Sequence, residues 1–429
     1  FATIAEAANL LRNLENAEAG TYLDRIGIFT ELNRIAHRQF PWQLGYFNKI
    51  QLFRYSYIYG LGKCGEYFRD TSGLTFNEFS FIGFAMLSGL LSNDFVLEDR
   101  AFVGLPVKVH NSAAALQKLS LPIKKLREKA LEYKQRFAGD RTTPTAIAYR
   151  PSVLRSFPVI QFGNRLRAPI PELILNRITA GVYYDIVGGP SSLRNEAADR
   201  YEEYCRRLIS TLFPRFLVNK GQKYRVGQRV IEAPDCLVSD FDRLVVAVEC
   251  KATKLVVSGQ FGDDPISEAE RGYKEIATGI FQLWRFFAHI RLGFVNHVLD
   301  TQIVGLVLTL DTWLTLDNTS QVRLFKMAEE LADKDGDIAA EDRRKVLVCA
   351  IPDFELTALR ANEDAFLATL RVSTEGKFTG WDLRAIQRDM GLADVEKDYP
   401  FELDEALPWW SAIDNEIQCR KANGLEVGA

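Results

Sequence analysis

The sequence predicts an α/β protein: a mixed sheet flanked by helices, preceded by a mainly helical N-terminal domain and followed by an α/β C-terminal extension. Three observations predict it. Apolar residues make up 47% of the 429 and charged residues 25%, the balance of a chain that packs a sizeable core. Within residues 192–310, helical spacing gives way to apolar runs of strand length and then returns. Gly188-Gly189-Pro190 separates that pattern from the helical composition before it.

In chain order, residues 1–150 read as a helical, partly basic domain. Ala5–Ala17, Phe76–Leu91 and Ser112–Phe137 have helix-forming composition or spacing, and Pro122 splits the last of these in two. An aromatic-rich stretch, Phe40–Phe68, is expected to pack against these helices. Residues 151–191 form a connector: the prolines of Pro144–Pro158 mark the boundary, and an extended segment and a short helix follow. Residues 192–310 are the expected core. A helix spans about Leu193–Phe213, and strands follow at Tyr224–Ile231, Cys236–Val238 and Leu244–Ala252. A further helix runs from Ser267 to Ile290, with Ser267 and Glu270 at capping-box spacing, and Gln302–Leu310 reads as a buried strand. Residues 311–429 complete or cover this core, with helices near Gln321–Asp333, Asp353–Leu370 and Trp381–Met390 and a strand at Lys345–Ile351.

Composition excludes several classes. No apolar run reaches the roughly 18 residues of a membrane span, and Phe79–Leu91 is broken by Ser80, Gly83, Ser88 and Gly89. The first residues lack a secretory pattern, a start at Phe1 implies residues upstream, and a cytoplasmic protein is expected. The six cysteines form no CxxC pair, and Cys236, Cys250 and Cys349 lie in apolar strand-like runs, as reduced core cysteines do. The four histidines share no ligand spacing with them, so structural zinc is not expected. Net charge is −3, but residues 101–190 hold 14 Lys and Arg against 5 Asp and Glu. That excess suits a polyanion, with Lys124, Lys125 and Lys129 as its candidate contacts, or simply a solvated helix face.

The chemistry concentrates in Ala233-Pro-Asp-Cys-Leu-Val-Ser-Asp-Phe-Asp-Arg-Leu-Val-Val-Ala-Val-Glu-Cys-Lys-Ala252. Glu249 and Lys251, two apart on a strand, share a face. The strand is apolar on both faces yet ends in a carboxylate and an ammonium, which costs several kcal/mol unless they are paired or bind an ion. A tight turn at Phe241–Arg243 would bring Asp235 level with Glu249. Two carboxylates and the Cys250 carbonyl would then offer the hard oxygens that Mg²⁺ prefers. Asp240 and Asp242 could stand in for Asp235, but turns are the usual home of Asp. ExK spacing also occurs at Glu132-Tyr-Lys134 and Glu375-Gly-Lys377, the first in a helix and the second beside a glycine turn. Lys254 and Gln260 read as solvated loop residues ahead of phosphate contacts, Asp311 as a strand-end cap ahead of a ligand, and His289 and His297 as packed or surface groups ahead of catalytic ones.

Residues 193–310 resemble the PD-(D/E)xK nuclease superfamily, with Pro234-Asp235 matching its PD and Glu249-Cys250-Lys251 its ExK. The resemblance implies a restriction-endonuclease-like fold and an Mg-dependent phosphodiesterase, with Mn²⁺ as a substitute. It implies Asp235 and Glu249 as metal-binding carboxylates and Lys251 as the group assisting the nucleophile. The family's first core helix often lends an acidic residue to the metal site. Here that is Glu202 or Glu203, with Glu202 favoured because Tyr201-Glu202-x-Tyr204 is similar to the family's Phe-Glu-x-Tyr. Gln282-Leu-Trp-Arg-Phe286 looks like the Gln-hydrophobic-x-x-Tyr motif of the recombination-nuclease branch, with Gln282 as a supporting residue and Phe286 in place of the Tyr. Nucleic acid, DNA favoured, is the implied substrate, in antiviral defence or a mobile element by analogy alone. The alternatives are a nuclease-like assembly subunit that does not cut and a nucleic-acid-binding protein serving a partner enzyme. The helical N-terminal domain would be the place for a protein partner, and homo-oligomerisation stays open.

Overall fold

The structure is a computed structural model that describes residues 2–22, 28, 31–32, 35, 48–103, 109–136, 152–256, 259–260, 265–312, 318–393 and 395–412. It is a mixed α/β protein in two compact units, one of residues 1–37 and 201–400, the other of residues 38–200 and 401–429. That division is not sequential, unlike the four consecutive segments read from the sequence. Most of the Pro144–Pro158 connector lies outside the described residues.

The unit of residues 201–400 is built on a five-stranded sheet. Its helices and strands are labelled in chain order, starting at helix α1, Ser191–Leu212, whose second half belongs here. Strand β1, Phe216–Lys220, follows at once, where no strand is expected from the sequence. The expected strand Tyr224–Ile231 is instead a separate ribbon, β2 (Lys223–Val226) and β3 (Arg229–Glu232), reversed at Gly227 with φ 57°. Strands β4 (Cys236–Asp240) and β5 (Arg243–Lys251) follow, then helix α2 (Glu270–Arg291), strand β6 (Val298–Thr309), helix α3 (Asn318–Ala332) and strand β7 (Val346–Ala350). The sheet order is β7-β6-β5-β4-β1: β7, β6 and β5 run parallel, and β4 and β1 complete it antiparallel. Strand β5 is central, which is why it is apolar on both faces.

Turn chemistry sets the β4–β5 register. Asp240 pairs with Arg243 across a two-residue loop, and Phe241 takes the left-handed conformation at φ 55°. A bulge then shifts the pairing from Ser239↔Leu244 to Val238↔Val246, and the last pair is Cys236↔Val248. One sheet face is covered by α2 and α3: Ala247 and Val307 pack with Tyr273, Ile276, Ile280, Leu283 and Leu324. Helix α2 does not begin with the expected capping box. Ser267 belongs to a separate turn, Pro265–Glu268, and Ala269 precedes Glu270 without a side-chain cap. A break at Ala269 moves the start of the helix past the Ser267–Glu270 pair.

The other unit is mainly helical, with helices at Lys49–Tyr59, Gly62–Ser72, Phe76–Ser92, Val109–Leu119 and Ile123–Arg136. The described part of the aromatic stretch supplies core residues, with Phe53, Tyr59 and Phe68 fully buried and Phe68 packed against Phe79 of the next helix. Pro122 breaks the helix, as its missing N–H requires, and the break is a short strand in a four-stranded sheet within this otherwise helical unit. No helix among the described residues is long and apolar enough to cross a membrane.

Candidate functional site

Strand β5 carries Glu249 and Lys251 toward α2, and the alternation puts Val246, Val248 and Cys250 on the opposite face. Because Cys236 pairs with Val248, the next residue back, Asp235, comes level with Glu249; the turn at Phe241–Arg243 alone would set it opposite Val248, and the one-residue bulge beyond Ser239 supplies the difference. Asp235 is tied there: its Oδ2 accepts a hydrogen bond from the Cys250 N–H at 2.7 Å. In a strand, the N–H and C=O of one residue point to the same side. The Cys250 carbonyl therefore also faces the side from which Asp235 approaches.

Lys251 Nζ donates to Glu249 Oε2 at 3.0 Å and to Gln282 Oε1 at 3.1 Å. Gln282 lies on α2, thirty-one residues further on, so the helix packed on this face aims the lysine. A second α2 residue, Gly279, was missed. A Cβ there would lie 2.8 Å from Lys251 Cε and 3.5 Å from Val307, so the absent side chain leaves room for the lysine stem. Its only sequence signal is an isolated glycine inside a helical pattern, which usually marks a close approach.

Electrostatics follow from depth. Glu249 is only 3% exposed, and burial pushes its carboxyl up to about 8. Lys251 pulls it down, while the charges of Asp235 and Glu202 push it further up. Burial also raises Asp235, opposed by the Cys250 N–H, Lys251 and Lys220. For Lys251 burial works against the charge, yet Glu249 and Asp235 outweigh it and the ammonium is favoured. The result is a cluster of two carboxyl groups and one ammonium, in which Lys251 favours the ionised carboxyls against burial and their mutual repulsion.

Glu202 stands close enough for its charge to raise Glu249, but among the described residues no three His, Cys, Asp or Glu side chains are grouped to hold a metal ion. The side-chain donors that converge are Asp235 and Glu249. Glu203 pairs with Arg206. Behind the sheet, Cys205 of α1 meets Cys250, which its hydrogen bond and burial push well up. Five buried cysteines are free thiols, while Cys419 lies outside the described residues.

The lower-ranked residues fall elsewhere. Asp240 is paired with Arg215 at 3.1 Å, at the far end of β4 from Asp235. Lys254 is not a solvated loop residue: it is buried and pairs with Asp311 at 3.2 Å, because β5 and β6 run parallel and end side by side. His289 is packed, its Nδ1 2.8 Å from Tyr224 Oη and its Nε2 3.3 Å from Asp337 Oδ2. Phe286 packs against Tyr224. Glu132 and Lys134 sit on a helix, and Glu375 precedes a short turn, so neither repeats the strand context. Lys124 and Lys125 are exposed on the helix Ile123–Arg136, whereas Lys129 is half-buried with its ammonium 5.9 Å from the centre of the Phe157 ring. Comparison with protein families, curated proteins and solved structures finds no match for this chain.

Proposed function

We propose that this chain is a metal-dependent nuclease whose 201–400 unit contains a restriction-endonuclease-like core, hydrolysing phosphodiester bonds with DNA as the favoured substrate. The observation that carries this reading is the convergence of Asp235, Glu249 and Lys251 at the end of the central strand, with Glu249 buried and raised to about 8. A buried carboxylate beside a second one is unfavourable when ionised, and a divalent cation relieves both. The donor chemistry fits Mg²⁺ or Mn²⁺: two carboxylates and a strand carbonyl, all hard oxygens. Asp235, Glu249 and the Cys250 carbonyl would hold the ion, with Glu202 adding its field. When bound, it supplies a Lewis acid for the scissile phosphate and a water of lowered pKa.

The chain's own groups supply the rest. Lys251, held by Gln282, keeps an ammonium beside the reacting phosphate, where it offsets charge and orients the attacking water. Gly279 leaves the stem of that lysine its space. The test is cleavage of duplex and single-stranded DNA and RNA by the full chain with Mg²⁺, Mn²⁺ and chelator. Cutting that needs the metal and stops in Asp235→Asn supports the reading, and absence of metal-dependent cutting on every substrate sinks it.

A second reading rests on the Lys251–Glu249 ion pair, which is complete without any added ion. In that reading the fold is kept as an assembly or nucleic-acid-binding subunit that does not cut. Calorimetric titration with Mg²⁺ separates the two, since only the nuclease requires binding that Glu249→Gln removes.

A further inference from the structure

Between β1 and β4 the chain projects the ribbon of β2 and β3, which is not part of the five-stranded sheet. Its pairs are Lys223↔Glu232, Tyr224↔Ile231, Arg225↔Val230 and Val226↔Arg229. The two faces differ. Tyr224, Val226 and Ile231 are half-buried, and Tyr224 is fastened to α2 by Phe286 and the hydrogen bond to His289, which Asp337 holds from the other side. The opposite face presents Lys223, Arg225, Val230 and Glu232 to solvent. Lys223 is matched by Glu232 at 2.7 Å, but Lys220, Arg225 and Arg229 make no ion pair among the described residues.

The foot of the ribbon stands at the candidate site. Only Ala233-Pro234 separates β3 from Asp235, and Gly221 abuts the Pro234 carbonyl so closely that a Cβ would lie 2.0 Å from its oxygen. Lys220 pairs with Cys236 across β1 and β4, and its charge favours ionised Asp235. Lys220 at the end of β1, Arg225 on the exposed face of the ribbon and Arg229 beside its Gly227 turn are thus cations without an ion pair among the described residues, on or next to a ribbon whose four-residue strands are each about 14 Å long.

We propose that this ribbon engages duplex DNA next to the scissile phosphate, an inference that rests on the nuclease reading for the position of that phosphate. A two-stranded ribbon fits the B-form major groove, whereas the deep, narrow major groove of A-form RNA excludes it. Lys220 contacts a phosphate near the reacting one, and Arg225 and Arg229 contact phosphates further along the groove. Val230, exposed on the same face as Arg225, faces the base edges, where an apolar side chain meets thymine methyl groups, while Arg229 reaches its phosphate from beside the Gly227 turn. The Tyr224–His289 anchor fixes the ribbon's orientation before DNA arrives.

The test uses the full chain and a labelled 30-bp DNA duplex in chelator, so that no cleavage interferes, with anisotropy read across a salt series. Arg225→Glu/Arg229→Glu is expected to bind at least tenfold more weakly, with a log–log salt slope shallower by about two. The milder Arg225→Gln/Arg229→Gln should fall between, and both should melt at the parent's temperature because the residues are exposed. Unchanged affinity and slope in both variants overturns the proposal, as does a parent that binds no DNA duplex or binds RNA duplex equally well. A chain that binds through the ribbon but never cuts with Mg²⁺ or Mn²⁺ loses the nuclease reading alone. A chain that cuts normally with the ribbon charges reversed loses the ribbon alone.

Discussion

Gly279 and Lys251 share one space: a Cβ on the helix residue would lie 2.8 Å from Cε of the lysine. The lysine's ammonium is held by Glu249 and Gln282 just beyond that point. Gly279→Ala should leave the fold intact, since alanine favours a helix interior by about 1 kcal/mol and the crowded atom belongs to a flexible side chain. On the nuclease reading, the displaced ammonium should lower cleavage roughly tenfold or more. Turnover and melting temperature, measured together, check this. Unaltered turnover would show that the lysine position carries no chemistry.

Asp235→Asn and Glu249→Gln should both abolish metal-dependent cleavage. The choice of amide matters at Asp235, because its carboxylate accepts the Cys250 N–H. Asp235→Ala leaves that donor unpaired and should cost about 1–3 kcal/mol of stability, which Asp235→Asn avoids. Relief of repulsion between the two carboxyls is therefore opposed by a lost hydrogen bond. Chemical denaturation of the two variants side by side measures the difference.

Mg²⁺ binding should tighten as pH rises, because Glu249, raised to about 8 by burial, must lose its proton to bind. Between pH 6.5 and 8.5 the gain should be about twentyfold for one such group, with proton release on binding. The sign for the metal-free protein is opposite. A carboxyl whose folded pKa is raised contributes stability that is present below its unfolded value near 4.5 and is lost as pH rises through about 8. The metal-free melting temperature should fall over that window, and Glu249→Gln should flatten the fall. Calorimetry at the two pH values and melting curves across the range provide the readouts.

Lys124→Glu/Lys125→Glu should weaken nucleic-acid binding uniformly across sequences and reduce the salt slope, without altering metal dependence. Lys129→Glu should act differently, since that side chain lies over Phe157 and is half-buried. It should lower the melting temperature more than either neighbour does. If the exposed pair changes nothing at low salt, the basic helix is solvated surface and protein docking on the helical unit gains ground.

Phe241→Asn should stabilise the chain by about 1 kcal/mol. Phe241 is exposed and held at φ 55°, a conformation that costs a residue with a Cβ about 1–2 kcal/mol and that asparagine tolerates. Denaturant unfolding with an unchanged m value is the measurement, and a loss of stability would place Phe241 in a contact that offsets its strain.

The sequence alone determined what local periodicity can encode. The apolar run ending in Glu249 and Lys251 specified a central strand and put both charges on one face, and Pro122 specified a break. The buried strand read at Gln302–Leu310 and the reduced cysteines were legible for the same reason, since burial leaves a pattern in neighbouring residues, whereas the exposed start of that strand at Val298 was not. Strand β1 was not: Leu217 and Asn219 are exposed on it, so it lacks the apolar run of its neighbours. The Ser267–Glu270 spacing misled because a cap depends on where the backbone turns, not on spacing alone. Only the tertiary structure decided the bulge that levels Asp235 with Glu249, the clamp of Gln282 and Gly279 on Lys251, and the pairing of Lys254 with Asp311. Each of these joins segments that neither helical nor strand period relates. Their meeting depends on sheet register and on how α2 packs across the sheet, which are properties of the whole core rather than of any stretch of it.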